Sequence, residues 1–238
     1  MDTPSAGVQQ QHTSEVRTSN RSDGRLALTA LVLLSLAASA CTTGPEAAPE
    51  ARFCDVPASS SEGKAVRDVL KADELKSTVF AETSDLVEGM RERLQEDKPT
   101  LPQATCSFAP RDTVSTKRLR IEFSWVPRTP DASGRNKLPG PLSHYDVNGA
   151  VGEANDISSH LRVECVLPGA DKETSKQILL QGEASNTLLM GTEVQQKTIN
   201  QQITFLYLMT RRATEALGCE NDPLAKNPVV KPSPPPAE

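Results

Sequence analysis

The stretch Leu119-Arg-Ile-Glu-Phe-Ser-Trp125 decides the fold class of this chain, because it carries the clearest pattern in the sequence. Its apolar and polar residues alternate over seven positions. Successive side chains of a β-strand point to opposite faces, so this alternation predicts a strand with one face in the core and the other facing water. Strands with one solvent-exposed face are typical of antiparallel sheets, whereas strands of parallel sheets are apolar on both faces.

Further strand patterns lie on both sides of this segment. Residues 106–109 begin a strand, Leu161–Leu167 alternates again, and Ile178–Ser185 forms another strand pattern. Asn148-Gly149 lies between apolar residues, and this dipeptide is the strongest short signal of a two-residue hairpin. Residues 127–141 contain four prolines and two glycines and are predicted to form a loop. Together these segments predict an antiparallel sheet.

Three segments show helical spacing of their apolar residues. Lys64–Phe80 and Ser84–Glu96 are the predicted N-terminal helix or helices, with Ser84 available as a cap. Thr192-x-x-Gln195 is a capping box that opens a long amphipathic helix ending at Leu217. The predicted fold class is therefore α+β, an antiparallel sheet packed against a long C-terminal helix and an N-terminal helix or helices.

The N-terminus has the composition of an export signal. Basic residues up to Arg25 lead into Leu26–Ala40, fifteen residues without a charge, which is too short to span a bilayer. The run ends in Ala38-Ser-Ala-Cys41, which resembles the bacterial lipobox, with small residues before a cysteine that accepts a diacylglyceryl group. We predict a lipoprotein signal peptide over residues 1–40 and lipidation of Cys41. An ordinary signal cleaved just before this cysteine and a buried core helix are the alternatives.

The rest of the chain divides by composition into three parts. Residues 41–51 lack apolar periodicity and are rich in Pro, Ala and Glu, so they are predicted to be an extended tether. Residues 52–222 carry the strand and helix patterns and form the predicted domain. Residues 223–238 are rich in proline and are predicted to be a disordered tail.

Four cysteines remain once Cys41 is assigned to the anchor, and these are Cys54, Cys106, Cys165 and Cys219. An even number of cysteines in an exported domain predicts two disulfides, for which three connectivities are possible. We favour the pairing of neighbours, Cys54 with Cys106 and Cys165 with Cys219. Each such pair brackets about fifty residues that contain both helix and strand patterns.

Several of these features occur together in one known family. They are the lipobox, the start Phe53-Cys-Asp-Val56, the second cysteine in Ala104-Thr-Cys-Ser-Phe108 and the last helix ending in Ala213-Thr-Glu-Ala-Leu-Gly-Cys219. Over residues 38–222 the chain resembles small actinobacterial surface lipoproteins of unknown function, with a lipobox and a two-disulfide pattern. The resemblance implies a surface location and supplies no catalytic residues.

Composition and motifs argue against several function classes. A formal net charge of -5 argues against nucleic acid as a partner, because nucleic-acid binding needs a basic face. The sequence has no C-x-x-C motif and no zinc-ligand spacing, so no metal and no cofactor is expected. It has no G-x-S-x-G elbow, and the adjacent residues Ser143–Asp146 are not expected to converge as a triad. We expect no enzymatic activity and no catalytic residue. The alternative is a cell-envelope hydrolase that uses His144 or His160 in a cleft.

A basic stretch supplies the candidate ligand-binding residues. Between residues 111 and 137 there are seven basic and three acidic residues. Arg118 and Arg120 share the solvent-exposed face of the predicted strand, and Arg128 lies in the following loop. These arginines are candidates for attracting an anionic envelope polymer or lipid headgroups. A solvated sheet face, with Glu122 and Glu164 as their partners, is the ordinary interpretation and the one we favour.

These patterns lead to one functional expectation. The chain is predicted to be an exported lipoprotein on the extracytoplasmic face of the cell membrane, acting as a non-catalytic binding or envelope-structural module. Its expected partners are the membrane, through the lipid anchor, and an anionic envelope component or a membrane protein. A pure protein-interaction subunit is a third hypothesis, and it predicts a contiguous exposed apolar patch.

Overall fold

The computed structural model describes residues 52–95, 98–112, 115–129, 138, 141–187 and 196–235. In chain order these residues form α1 (Ser61–Leu70), β1 (Leu75–Val79), α2 (Thr83–Glu92), β2 (Gln103–Pro110), β3 (Leu119–Pro127), β4 (Ser143–Val147), β5 (Ala150–Ala154), β6 (Ser158–Val163), α3 (Lys172–Gln177), β7 (Ile178–Asn186), α4 (Gln196–Leu217) and β8 (Val230–Ser233). The strands make one antiparallel sheet in the order β1-β2-β3-β7-β6-β5-β4-β8. The predicted α+β class is confirmed.

The hairpin between β4 and β5 forms at the predicted turn. Asn148 and Gly149 have φ values of 54° and 91°, and Val147 lies opposite Ala150. A two-residue turn with positive φ at both positions matches the right-handed twist of the strands that it joins. Asn tolerates this region better than most residues with a side chain, and Gly adopts it without steric cost.

One face of the sheet carries the core, and α4 lies across it. Gly182 of β7 allows the close approach, because a Cβ atom there would collide with the Thr210 hydroxyl of α4. The Phe108 ring of β2 packs edge-on against Phe205 of α4, with ring centroids 5.5 Å apart. α1 packs beside α4.

α2 completes the helical layer on this face. Trp125 is fully buried, and its indole Nε1 donates a hydrogen bond of 2.7 Å to the carbonyl oxygen of Met90 in α2. Arg91 donates to the carbonyl oxygen of Leu217 at the end of α4 and to the carboxylate of Asp171. The three longest described helices therefore cover the same face of the sheet.

Two disulfides join Cys54 to Cys106 and Cys165 to Cys219, which confirms the predicted pairing of neighbours. The first links the segment before α1 to β2, and the second links the segment after β6 to the end of α4. Disulfides persist in oxidising compartments, so this pairing indicates an extracytoplasmic environment.

Residues 64–80 do not form the single helix that their periodicity predicts. α1 ends at Leu70, and Lys71 takes a left-handed conformation with a φ of 51°. The chain then continues as β1, which pairs along its length with β2. Leu75 and Val79 are four residues apart, a spacing that a helix also shows, so the pattern alone did not distinguish a short strand. Pairing with β2 decides the structure.

The second N-terminal helix starts and ends earlier than predicted. α2 covers Thr83–Glu92 rather than 84–96, and residues 96 and 97 lie outside the described residues. Ser84 is not its cap, because Glu82 occupies that position without a side-chain hydrogen bond. The hydroxyl of Thr83, the first residue of α2, accepts a hydrogen bond from the backbone amide of Phe53.

The prediction of a disordered tail over 223–238 is wrong for the residues that the structure describes. Leu224 is buried in the core, and β8 pairs antiparallel with β4. The side-chain amide of Asn148 donates a hydrogen bond of 2.6 Å to the carbonyl oxygen of Asn227. Pro232 is compatible with β8 because an edge strand does not need every backbone N–H for pairing. The domain therefore continues past residue 222, through 235.

Several predicted features lie outside the described residues. These are the signal peptide over 1–40, the lipidated Cys41, the tether over 41–51 and the capping box that begins at Thr192. α4 is described from Gln196 onward. None of the helices that the structure describes has the length and apolar character needed to cross a bilayer.

Candidate functional site

The second face of the sheet, opposite α1, α2 and α4, carries polar and charged side chains. Sequence alternation places them there: in β3, Ile121 and Phe123 belong to the core, whereas Glu122 between them points away from it. In β6, Leu161 lies in the core and His160 points to the second face. The alternation read from the sequence thus holds across the centre of the sheet.

Five ionisable residues line up across this second face, one on each of five neighbouring strands. They are His144 on β4, Glu153 on β5, His160 on β6, Glu183 on β7 and Glu122 on β3, and each lies directly opposite the next. Directly opposed side chains in an antiparallel sheet have Cβ atoms about 5 Å apart, so neighbours interact. We call these five residues the carboxylate–histidine row.

Arginines neutralise two of the three carboxylates in the row. Arg162 donates to both carboxylate oxygens of Glu153, at 3.1 and 3.0 Å. An Nη atom of Arg120 lies 2.8 Å from a carboxylate oxygen of Glu122. Glu183 instead faces the imidazole of His160, with 3.3 Å between Nε2 and Oε2. The second face is therefore close to charge balance and has little excess positive charge with which to attract an anion.

The two histidines of the row are largely enclosed. His160 is 4% exposed, and Nδ1 of His144 lies 3.9 Å from a carboxylate oxygen of Glu153. The contact of His160 with Glu183 has the distance of an ion pair but not the geometry of a hydrogen bond. Within the described part of the chain neither imidazole is hydrogen-bonded to a hydroxyl group, so no nucleophile–base pair is formed there.

The electrostatics of the row are most perturbed at Glu122. Burial raises the pKa of this carboxyl, the charge of Arg120 opposes that shift, and repulsion from Glu183 adds to it. The net result is a pKa above the usual value of 4.5. Folding therefore favours the protonated form of Glu122.

Glu122→Gln is expected to raise the free energy of unfolding relative to wild type at neutral pH and not in acid. A group whose pKa is raised on folding contributes stability that is fully present below its unfolded pKa and is lost as the pH rises through the folded pKa. Glutamine resembles the protonated carboxyl, so it keeps that contribution at all pH values. Urea unfolding at about pH 4 and about pH 7 measures the difference.

Glu164→Gln is the matched control for this prediction. Like Glu122→Gln, it removes the carboxylate partner of an arginine, because Glu164 pairs with Arg128. Unlike Glu122, Glu164 is exposed. Because an exposed ion pair contributes little to stability, its effect on the free energy of unfolding should be small at both pH values. A Glu122→Gln effect that is equally independent of pH contradicts the prediction.

The structure does not bring the candidate arginines Arg118, Arg120 and Arg128 into one site. Arg120 and Arg128 are eight residues apart along an extended segment, which corresponds to about 26 Å. Arg120 pairs with Glu122, and a guanidinium nitrogen of Arg128 lies 2.5 Å from the Glu164 carboxylate. Arg118 is exposed just before β3. Glu122 and Glu164 are the partners expected if these arginines belong to an ordinary solvated surface.

A cleft of about 380 Å³ lies between α1 with the residues that follow it and the first described turns of α4. Its charged lining consists of Lys64, Arg67, Asp68, Lys71, Asp73 and Lys197, and Thr198 and Gln201 contribute neutral polar groups. Arg67 and Asp68 of α1 lie three and four positions after Lys64, which places these three residues on one side of the helix, and Lys71 and Asp73 follow just after its end. The lining has four cations and two carboxylates, and we call it the cationic cleft.

A second cleft of about 450 Å³ adjoins the cationic cleft and shares Lys71 and Asp73 with it. Its other charged residues are Glu74, Arg111 and Asp112. Arg111 pairs with Glu74 at 3.5 Å. The second cleft therefore lacks the excess of cations that distinguishes the first.

The cationic cleft was not predicted from the sequence. The signal that was available is the spacing of Lys64, Arg67 and Lys71 on one side of a predicted helix. Lys197 comes from α4, more than a hundred residues later in the chain. Only the packing of α1 against α4 places it opposite the other three.

Comparison of the chain with models of protein families, with curated proteins and with solved structures finds no match. Within the described ranges, no group of three or more His, Cys, Asp or Glu residues is arranged to hold a metal ion. The similarity to surface lipoproteins stays a prediction from the residues. The chemistry of the cationic cleft is therefore interpreted from its own side chains.

Proposed function

We propose that this chain is an exported, lipid-anchored binding module that holds an anionic component of the cell envelope at the extracytoplasmic face of the membrane. The observation that supports this function is the cationic cleft. Its volume of about 380 Å³ lies within the range of small-ligand sites. Its excess positive charge contrasts with the formal net charge of -5 of the whole chain.

The lysines of the cleft are free to engage a ligand. In the part of the chain that the structure describes, the ammonium groups of Lys64, Lys71 and Lys197 take part in no hydrogen bond or ion pair. The arginines of the sheet, by contrast, are bound to carboxylates, as Arg120 and Arg162 are. Unpaired cations that converge on a concavity attract anions more strongly than paired cations on a flat face.

A binding function is better supported than hydrolysis. The hydrolase hypothesis needs His144 or His160 in a cleft, and neither histidine lines either of the two clefts described above. Both imidazoles face carboxylates on the second face of the sheet. A general base needs a proton donor within reach, such as a nucleophilic hydroxyl, and the row does not bring one to them.

A pure protein-interaction subunit is also less well supported. The exposed large apolar residues among those described are Val79, Phe80, Leu101, Val151, Ile157 and Val229. They lie near β1 and β2 at one edge of the sheet, at β5 and its following turn, and before β8 at the other edge. Scattered exposed apolar residues are normal on a soluble surface, whereas an interface is typically one contiguous patch.

The proposed function is tested by sedimentation of the purified full chain with isolated envelope fragments, in a neutral detergent that occupies the lipid anchor. We expect binding at low salt and release at high salt, because exposed charges are screened over about 8 Å at physiological ionic strength. Lys64→Glu/Lys197→Glu should weaken this binding strongly, since it reverses one charge on each wall of the cleft.

Lys226→Glu/Lys231→Glu is the matched control, because it changes the net charge equally. Both of its lysines are exposed, and Lys231 lies on β8, at the opposite edge of the sheet from β1. Equal loss of binding in the two variants points to net charge rather than the cleft. Absence of binding by wild type at low salt contradicts the proposed function.

A further inference from the structure

We infer that the cationic cleft binds a phosphorylated polyol, such as a glycerol phosphate or sugar phosphate group. This inference rests on the proposed function and names the chemical class of its ligand. Three properties of the cleft support this inference. They are the type of cation that is free, the carboxylates that lie among the cations, and the volume of the cleft.

The free cations of the cleft suit phosphate. The Arg67 guanidinium is already engaged, donating a hydrogen bond of 2.5 Å to the carbonyl oxygen of Ala58. The cations of the cleft whose described contacts include no hydrogen bond or ion pair are the ammonium groups of Lys64, Lys71 and Lys197. An ammonium is a compact point charge with three donors, so several can converge on the oxygens of one tetrahedral anion. A planar carboxylate is matched best by a planar guanidinium fork with both Nη atoms free, and here one Nη atom of Arg67 is held by Ala58.

The carboxylates of the cleft indicate that the ligand also carries hydroxyl groups. Asp68 and Asp73 line the same space as the lysines, and among the described residues neither forms a salt bridge. A bare anion is repelled by these carboxylates, but a hydroxyl group donates a hydrogen bond to them. The amide of Gln201 supplies a further donor and acceptor. A phosphate joined to a polyol satisfies both sets of groups.

The space fits a group of this size. The cleft has a volume of about 380 Å³, and the adjoining cleft of about 450 Å³ shares Lys71 and Asp73 with it. One phosphorylated polyol therefore fits in the cationic cleft, and the adjoining cleft leaves room for the hydroxyl-bearing part of a longer ligand. Both a lipid headgroup and a unit of an envelope polymer provide this chemistry.

The test is an amide NMR titration of the purified full chain, held in a neutral detergent that contains no phosphate. Glycerol phosphate is the probe, and inorganic phosphate, glycerol and citrate are the comparison ligands. We expect saturable shifts confined to residues 64–73 and 197–201, with tighter binding of glycerol phosphate than of inorganic phosphate or citrate. Glycerol alone should cause no saturable shift.

Two pairs of variants localise the binding. Lys64→Glu/Lys197→Glu is expected to raise the Kd for glycerol phosphate at least about tenfold. Lys226→Glu/Lys231→Glu, with the same change in net charge, should leave it within about twofold. The unchanged amide spectrum outside the cleft verifies that each variant is folded. Arg118→Glu/Arg120→Glu is a further arm, and loss of binding in that variant alone places the site on the sheet and overturns the inference.

The outcomes separate this inference from the proposed function. Preferred binding of citrate in the same cleft overturns the phosphorylated polyol but preserves an anion-binding function. Failure of every anion to produce saturable shifts at millimolar concentration, together with no binding to envelope fragments, overturns both. Vesicles with phosphatidylglycerol, compared with phosphatidylcholine vesicles and with isolated polyol-phosphate polymer, distinguish a lipid headgroup from a polymer as the source.

Discussion

Replacing both Cys165 and Cys219 by serine is expected to lower the free energy of unfolding by about 2–5 kcal/mol. The disulfide joins residues 54 positions apart, and closing a loop of that length restricts the unfolded chain. In the folded state it holds the end of α4 against the segment that follows β6. The Glu220 amide donates a hydrogen bond of 2.8 Å to the Val166 carbonyl oxygen beside the disulfide. In the variant this hydrogen bond is no longer supported by a covalent cross-link.

Urea unfolding under non-reducing conditions, followed by circular dichroism, measures this effect. The serine pair Cys54→Ser/Cys106→Ser is the natural comparison, because its loop has a similar length of 52 positions. Wild type treated with reductant should approach the stability of a variant that lacks both bridges. A change below about 1 kcal/mol for the Cys165→Ser/Cys219→Ser pair is evidence against a stabilising bridge. A peptide that links Cys54 to Cys219 rejects the pairing itself.

Cys41→Ala is expected to move the protein from the membrane fraction into the medium, or to leave an uncleaved precursor. The reason lies in the sequence, because an uncharged run of fifteen residues ends in Ala38-Ser-Ala-Cys41. Each buried methylene of an acyl chain contributes about 0.8 kcal/mol to membrane binding, so a diacylated cysteine accounts for nearly all of the attachment. Its loss should change the distribution of the protein almost completely.

Cell fractionation and mass spectrometry of the N-terminal peptide measure this outcome. Thr42→Ala is the matched control, since it changes the adjacent residue and leaves the lipid acceptor in place. The control should stay membrane-bound with an acylated N-terminal peptide. Processing and membrane attachment of Cys41→Ala identical to those of wild type rule out Cys41 as the anchor.

The sequence by itself determined the parts of this fold that depend on neighbouring residues. The alternation over Leu119–Trp125 predicted β3 and its two faces, and Asn148-Gly149 predicted the turn between β4 and β5. The long C-terminal helix followed from its apolar stripe. The even number of cysteines and their spacing predicted the two disulfides. Each of these signals is contained in a short window or in a simple count.

Tertiary structure alone decided the two edges of the sheet. Leu75 and Val79 have a spacing that also fits a helix, and the stretch becomes β1 because β2 offers it a partner. The proline-rich segment before the C-terminus becomes β8 because β4 presents an unpaired edge to it. Local propensity is weak in both segments, so long-range backbone hydrogen bonds determine their conformation.

The candidate sites also needed the tertiary structure. The carboxylate–histidine row joins strands that are far apart in the sequence, and its composition depends on the register of β3 with β7 and of β7 with β6. A shift of one residue in either register would send the row's side chains to the other face. The cationic cleft requires Lys197 of α4 to face Lys64 of α1. Helical periodicity states which side of each helix is polar, but only the packing of the two helices through their apolar sides determines which polar groups meet.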